Sequence, residues 1–409
     1  MENEFDYLMP ANIALLIGAG TSCHMTLCGN DKYRVPIDST FYLTAKEISN
    51  WCKDETIESL GVAAIHCIAK ALASHGVDEN ELVPGKSGGP EVSMEDAFCR
   101  LEMLRMLGID TNHGGWPHAA DAFRDLIAIV TSQGRLPDNN LDGGYHGLVR
   151  RLQAEGLTRK IAILTLNYEL GIEQAIVRHV NEDRSAYRSE WSRWDASGSI
   201  MHGDVYYYHL PNRSFPQGEA LKILKLHGSC NWGYCPDCKN VQWFMERNGS
   251  LDVTKLLSVG NSGGRCSWHS VDDALRPYYT PHIVAPTWNK WMGDYTLRHI
   301  WRGTHNVLKS IDALFVVGTS LPPTDSHVRH LLSATVSPAA RSTAPVVYVV
   351  NKSGSPEYLD RLSTAVGQKI SDDPDLCKWA GFEEPDTINW IIERAKRHIV
   401  TGVKTTISY

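Results

Sequence analysis

Four residues with metal-ligand chemistry stand in two short pairs, Cys235-Pro236-Asp237-Cys238 and Cys266-Ser267-Trp268-His269. Two knuckles of this kind supply four soft donors, the set that tetrahedral Zn2+ takes in structural sites. Their separation exceeds the usual zinc-ribbon spacing, so ordinary polar-loop residues are the alternative reading. A different chemistry is suggested by Gly18-Ala19-Gly20-Thr21-Ser22, which directly follows an apolar run. Such a turn lets backbone N–H groups approach a pyrophosphate. It lacks the third glycine of the common dinucleotide fingerprint, and a plain strand-to-helix turn also uses two glycines. Asn167 and His227 each follow a further apolar run. Taken singly they have the residue types of a helix N-cap and a turn histidine.

Elements must hold these residues in place, and the apolar runs predict which. Ile13–Ile17, Ile161–Leu166, Leu221–Leu226, Ala313–Val317 and Pro345–Val350 have the length and composition of buried strands. Each ends in small or polar residues: GAGTS, Asn167, His227-Gly228-Ser229, Gly318-Thr319-Ser320 and Asn351-Lys352. Such strands, separated by helical or irregular stretches, predict an α/β fold with a Rossmann-like, doubly wound parallel sheet. Open sheets of that kind bind ligands beyond the carboxyl ends of their strands, which would gather these turns at one crevice. From about 40 to 155 the chain reads as helical, with Ile57, Leu60, Ala64, Ile65 and Ile68 at helical spacing, and likewise Ala97, Phe98, Leu101 and Leu104.

The implied organisation is a Rossmann-like domain beginning at 1–38 and interrupted by a large helical insertion at 39–155. It continues at 156–228, where 180–220 reads as an irregular insertion, and is completed at 296–370. A small Cys/His/Trp-rich module occupies 229–295 and a C-terminal helical segment 371–409.

Composition narrows the function class. The 409 residues are 43% apolar and 21% charged, in the ordinary globular range. Forty basic residues against 47 acidic ones leave a net charge of −7, which gives no electrostatic reason to expect nucleic-acid binding. No run approaches the roughly 20 apolar residues of a membrane span, and the acidic start, Met-Glu-Asn-Glu, is unlike a secretory signal. A cytoplasmic protein without a membrane partner is expected. Ten cysteines are too dilute in this length for a disulfide framework and suit a reducing compartment.

The order GAGTS, then LTLNYELGIE (164–173), LKLHGSCNW (224–232) and VVGTSLPPTD (316–325) is more specific than any one motif. In this set the chain resembles the sirtuin superfamily, and more narrowly the divergent bacterial sirtuin-like NADases of antiphage defence systems. The resemblance runs from 13 to 352 and implies NAD+ as substrate. Gly18, Ala19, Gly20, Thr21 and Ser22 would lie by its phosphates, with Gly318, Thr319, Ser320 and Asn351 on the adenosine side. Asn167, Tyr168 and Glu169 would also contact it, and Asn167 and His227 match the two catalytic positions. The family's zinc knuckles lie where Cys235, Cys238, Cys266 and His269 stand.

The chain also departs from the deacylating sirtuins. Glu169 stands where they carry aspartate and Leu166 where they carry glutamine. The segment after the glycine turn, Cys23 to Asn30, lacks their ribose-covering sequence, and their peptide-binding features are not recognisable. The resemblance therefore implies NAD+ hydrolysis. An NAD-dependent protein deacylase and a non-catalytic NAD/ADP-ribose-binding sensor are the alternatives. By family analogy, the partners are further copies in a homo-oligomer, or a second subunit such as a HerA-like ATPase or a short Argonaute.

Overall fold

Every side chain of Ile13–Ile17 (β1) is buried, as expected of a strand covered on both faces. The computed structural model describes residues 11–37, 40–74, 76, 94–109, 115–158, 160–182, 205–207, 221–239, 241–244, 251–257, 266, 278–284, 295–322 and 325–400. After β1 come a hairpin, β2 (Thr26–Leu27) and β3 (Asn30–Arg34), and helices α1 (Phe41–Lys46), α2 (Ile48–Trp51), α3 (Glu55–Ala73), α4 (Met94–Met106) and α5 (Ala119–Ser132). Next are β4 (Gly134–Arg135), α6 (Gly144–Ala154), β5 (Ile161–Thr165), α7 (Gly171–Glu182), β6 (Val205–Tyr207) and β7 (Leu221–Lys225). Strands β8 (Gly228–Tyr234), β9 (Val241–Trp243) and β10 (Thr280–Ile283) precede α8 (Tyr295–Ser310) and β11 (Ala313–Val317). The chain continues through α9 (Ser326–Val336), β12 (Val346–Asn351), α10 (Pro356–Val366), β13 (Cys377–Trp379) and α11 (Pro385–Val400).

A seven-stranded sheet in the order β13-β12-β11-β1-β5-β7-β6 organises the molecule, and every pairing in it is parallel. Together with its flanking helices it is a Rossmann-like α/β arrangement. The helices fall into two groups by contact, α6 with α7 and α11, and α8 with α9 and α10. The five apolar runs form the five central strands. The two edge strands were not anticipated. β6 lies in the stretch read as irregular, and β13 lies in the C-terminal segment read as helical. Each has three residues, so partner pairing defines them and no apolar run announces them.

The remaining elements surround the sheet. α3 starts at an Asp54 cap whose carboxylate accepts from the Thr56 and Ile57 amides, and it packs on α5. By length and composition α3 is apolar enough to cross a membrane, which corrects the expectation that no segment is. In this fold it buries Ile57, Gly61, Ala64, Ile68 and Leu72, while Val62, His66 and Lys70 face outward. α5 is buried along nearly its whole length. It touches α3 and α4 as well as β8 and β10. Strands β10-β8-β9 form an antiparallel sheet within the Cys/His/Trp-rich region. The hairpin β2–β3 forms a second small sheet with β4.

Candidate active site at the strand ends

Strand register places the site. Ile17 lies level with Thr165 on one side and Val317 on the other, and Thr165 lies level with Lys225. Gly18, Asn167, His227 and Gly318 therefore all emerge just past the carboxyl edge of neighbouring strands. The chain runs outward from β1 through β5 and β7, then returns to its other side at β11. That reversal makes the topological switch point where open parallel sheets hold ligands.

The two glycine turns at this point pack against each other. Gly18 donates its N–H to Val317 O (2.9 Å), Gly20 to Gly318 O (2.7 Å), Thr21 to Gly18 O (3.0 Å) and Ser22 to Ala19 O (3.0 Å). Gly318 has φ +59°, and a β-carbon on Gly20 would lie 2.7 Å from the Gly318 carbonyl oxygen. The need for glycine at 20 is thus set by contact between the turns, where the sequence suggested room for a pyrophosphate. Ala19 is the exposed residue of this loop.

Beneath the loop, Asn167 is the centre of a buried polar cluster. Its Nδ2 lies 3.1 Å from Gly18 O, 3.1 Å from Thr21 Oγ1, 3.0 Å from Ser22 Oγ, 3.1 Å from the Tyr145 hydroxyl and 3.2 Å from Glu169 Oε1. A carbonyl and a carboxylate can only accept, so the amide nitrogen must face inward. Ser22 Oγ donates to Glu169 Oε1 at 2.5 Å and the Tyr145 hydroxyl to the same oxygen at 2.9 Å. Thr21 Oγ1 donates to Gly18 O at 2.8 Å. Glu169 Oε2 accepts from the Gly171 amide. The outcome is an asparagine whose amino group is saturated. Its Oδ1 is buried and has no partner among the described residues. A buried acceptor in that condition calls for a donor from outside the chain.

The cluster is anchored from below. Lys225 Nζ donates to Glu169 O at 2.7 Å and pairs with Glu173 Oε1 at 2.9 Å. Both of these charged side chains are buried. Burial, and secondarily the Glu169 charge, hold the Tyr145 hydroxyl well above its ordinary range, so it remains a neutral donor.

His227 occupies the turn between β7 and β8. Gly228 has φ +79°, and a β-carbon there would stand 2.0 Å from His282 O, so only glycine makes this turn. Val284 donates its N–H to His227 O (2.9 Å), and the Tyr168 hydroxyl donates to Val284 O (3.1 Å). The Tyr168 and His227 rings are 6.1 Å apart. The imidazole Nε2 lies 3.3 Å from Asp325 Oδ1, with both side chains buried.

Other residues singled out from the sequence lie around this centre. Thr319 is buried against Gly18, and its Oγ1 accepts from the Leu321 amide (3.2 Å). Ser320 is exposed, and Asn351 ends the next strand, its Oδ1 accepting from the Lys352 amide at 2.8 Å. Tyr145 and Asp325 were missed. Tyr145 follows the pair Gly143-Gly144 at the start of α6, where Gly144 takes φ +57°. That glycine pair was the available signal. Asp325 reads in sequence as an ordinary helix cap.

The cysteine cluster is separate from the strand ends. The sulfurs of Cys235, Cys238 and Cys266 all lie within 4.8 Å of one another, and Cys238 and Cys266 are 3.6 Å apart. Zn–S bonds of about 2.3 Å in a tetrahedron place sulfurs roughly 3.7 Å apart, so the donors fit the ion. Burial, reinforced by the neighbouring thiols, pushes Cys235 up to about 12. His269 lies outside the described residues.

No family model matches the chain, and no curated protein matches it. Solved structures give matches. One is a mutant Sir2 homologue with ADP-ribose, at 11% identity and TM-score 0.40 over 97% of this chain and 96% of that one. A Sir2 homologue–NAD complex matches at 12% identity and TM-score 0.35 over 94% and 89%. A Sir2–p53 peptide–NAD+ complex matches at 14% identity and TM-score 0.37 over 95% and 92%.

Proposed function

We propose that the chain is an NAD+ hydrolase that cleaves the nicotinamide–ribose bond, releasing nicotinamide and ADP-ribose. The observation that carries this reading is the orientation of Asn167, with its amino group saturated and its buried Oδ1 without a partner among the described residues. A water or a ribose hydroxyl is a suitable donor to that oxygen. Breaking the bond from C1′ to the nicotinamide nitrogen builds an oxocarbenium-like centre, and the bonding pair leaves with neutral nicotinamide. Water attacks C1′, and its proton passes to His227 on the adjacent strand end. Such chemistry needs orientation more than a strong nucleophile. The glycine turns and the ends of β11 and β12 are proposed to hold the phosphates and adenosine. The zinc group, where bound, is structural and lies outside this sequence of steps.

The direct experiment measures nicotinamide release from NAD+ with and without an acetyl-lysine peptide. Release without peptide is expected. Release only with peptide would replace the hydrolase by a deacylase, and binding without release would leave a sensor subunit. Asn167→Ala and His227→Ala are each expected to cut turnover by about 10²-fold or more, with binding changed less. The motif resemblance extends the proposal to the cell, where hydrolysis would deplete NAD+ during phage infection. Cellular NAD+ should then fall on infection with the wild-type protein and hold steady with His227→Ala.

A further inference from the structure

We infer that Asp325 is the positioning residue of His227, holding its imidazole as the Nε2–H tautomer so that Nδ1 is the nitrogen that receives the proton; this rests on the reading of His227 as the proton acceptor. The two side chains come from different strand ends. His227 follows β7, and Asp325 opens α9 beyond β11. Their atoms are 3.3 Å apart, and relative exposures of 3% and 5% leave little solvent to compete for the contact.

An aspartate at this place has an obvious alternative occupation, which it does not take. Asp325 is the N-cap residue of α9, yet its carboxylate makes no capping bond. Asp54 and Ser355, at the same position of α3 and α10, both cap with their side chains. Aspartate is among the best capping residues, so withdrawing its carboxylate from the helix amides leaves the cap to the backbone. Arg329 donates its N–H to Asp325 O (3.1 Å), and Asp325 donates its own to Pro322 O (3.0 Å). The turn leading to it contains Leu321 in the left-handed region at φ +43°, a strained conformation for leucine. The Leu321 amide is held there by Thr319 Oγ1 at 3.2 Å. These backbone contacts flank a buried carboxylate that stands 3.3 Å from the histidine.

The consequence for proton handling follows from donor chemistry. An ionised carboxylate only accepts, so hydrogen on the Nε2 that stands 3.3 Å from it is the favoured arrangement, and in neutral imidazole the lone pair is then on Nδ1. As water attacks C1′ its proton moves to Nδ1, and Asp325 stays ionised beside the resulting imidazolium without taking a proton.

The test uses full-length protein labelled with 15N-histidine, the His227 signals being assigned by their loss in His227→Ala. His227 in the wild-type protein is expected as the Nε2–H form. In Asp325→Asn the new amide can donate to Nε2, and the signal should change to the Nδ1–H form. In the same variant kcat for NAD+ hydrolysis is expected to fall by about 10²-fold or more while KM changes less than about threefold. Asp325→Glu should restore at least about tenfold of that loss. A wild-type His227 in the Nδ1–H form overturns the inference. So does a folded Asp325→Asn with unchanged tautomer or unchanged kcat. Should Asp325→Asn not fold, the wild-type tautomer and Asp325→Glu decide. If the wild-type protein does not cleave NAD+, the hydrolase reading fails by itself, and the tautomer measurement still tests the pair.

Discussion

The Tyr145 hydroxyl donates to a carboxylate that also serves Ser22, inside a cluster closed to solvent. Replacing it with phenylalanine leaves Glu169 short of a donor at a buried site. The expected loss is about 1–3 kcal/mol of stability at neutral pH, read by denaturant unfolding. A pH signature separates this from simple loss of packing. Unfolded tyrosine ionises near pH 10, whereas burial and then Glu169 hold the folded hydroxyl well above that. Between those values the unfolded chain binds fewer protons, so this contribution is complete below pH 10 and is lost as pH rises beyond it. The wild-type unfolding midpoint should therefore fall more steeply between about pH 9.5 and 11 than that of Tyr145→Phe. Parallel midpoints in the two proteins would remove Tyr145 from this account. Turnover should fall as well, because Tyr145 is one of the acceptors that orient the Asn167 amide.

Paired turns are the vulnerable elements. With Gly20 packed on the backbone of Gly318, Gly20→Val must push β1 and β11 apart. It is expected to cost about 1–3 kcal/mol, as overpacking does, so a lowered unfolding midpoint should accompany weaker NAD+ binding. Weaker binding in a variant as stable as wild type would return Gly20 to direct contact with the pyrophosphate. The cysteine cluster gives a second element-level expectation. Purified protein should hold about one zinc per chain, and Cys238→Ser should lower both metal content and melting temperature. Metal-free protein with a wild-type melt would overturn it. These cases also show what could be read in advance. Ile13–Ile17 and Ala313–Val317 are apolar throughout because both faces are covered, and such runs declare themselves. The strand-end residues Asn167 and His227 were legible because they follow such runs. Val205–Tyr207 and Cys377–Trp379 were not, since a three-residue edge strand exists only through its neighbour. Asp325 was hidden for another reason: a cap residue announces a helix, and no local pattern says that its carboxylate serves a histidine nearly a hundred positions earlier.

For the whole molecule, α5 is the bridge. It is buried along nearly its whole length and contacts α3, α4, β8 and β10, so both groups pack on it. Thermal unfolding of these two regions is expected as one transition, with matching calorimetric and van't Hoff enthalpies. Two resolved transitions, one of them sparing the helical region, would show that α5 does not couple them. Phe123, fully buried on this helix, is the position to probe. Phe123→Ala should cost about 3–5 kcal/mol and shift the entire melt.

The central place of β1 has a consequence for how the protein can be made. Among the described strands it is the first to leave the ribosome, yet Ile13 pairs with Ala313 as well as with Ile161. Its second neighbour is therefore translated after every other described strand except β12 and β13. Until β11 emerges, the turn at Gly18 has no Gly318 to close on, and His227 has no Asp325. Nascent chains, and fragments left by interrupted translation, are expected to be inert toward NAD+. A chain ending at 310 should release no nicotinamide at any concentration, and release by it would show that β5 and β7 suffice to build the site. On the proposed hydrolase reading, a cell would thereby be spared loss of its NAD+ until β11 of each copy has been made.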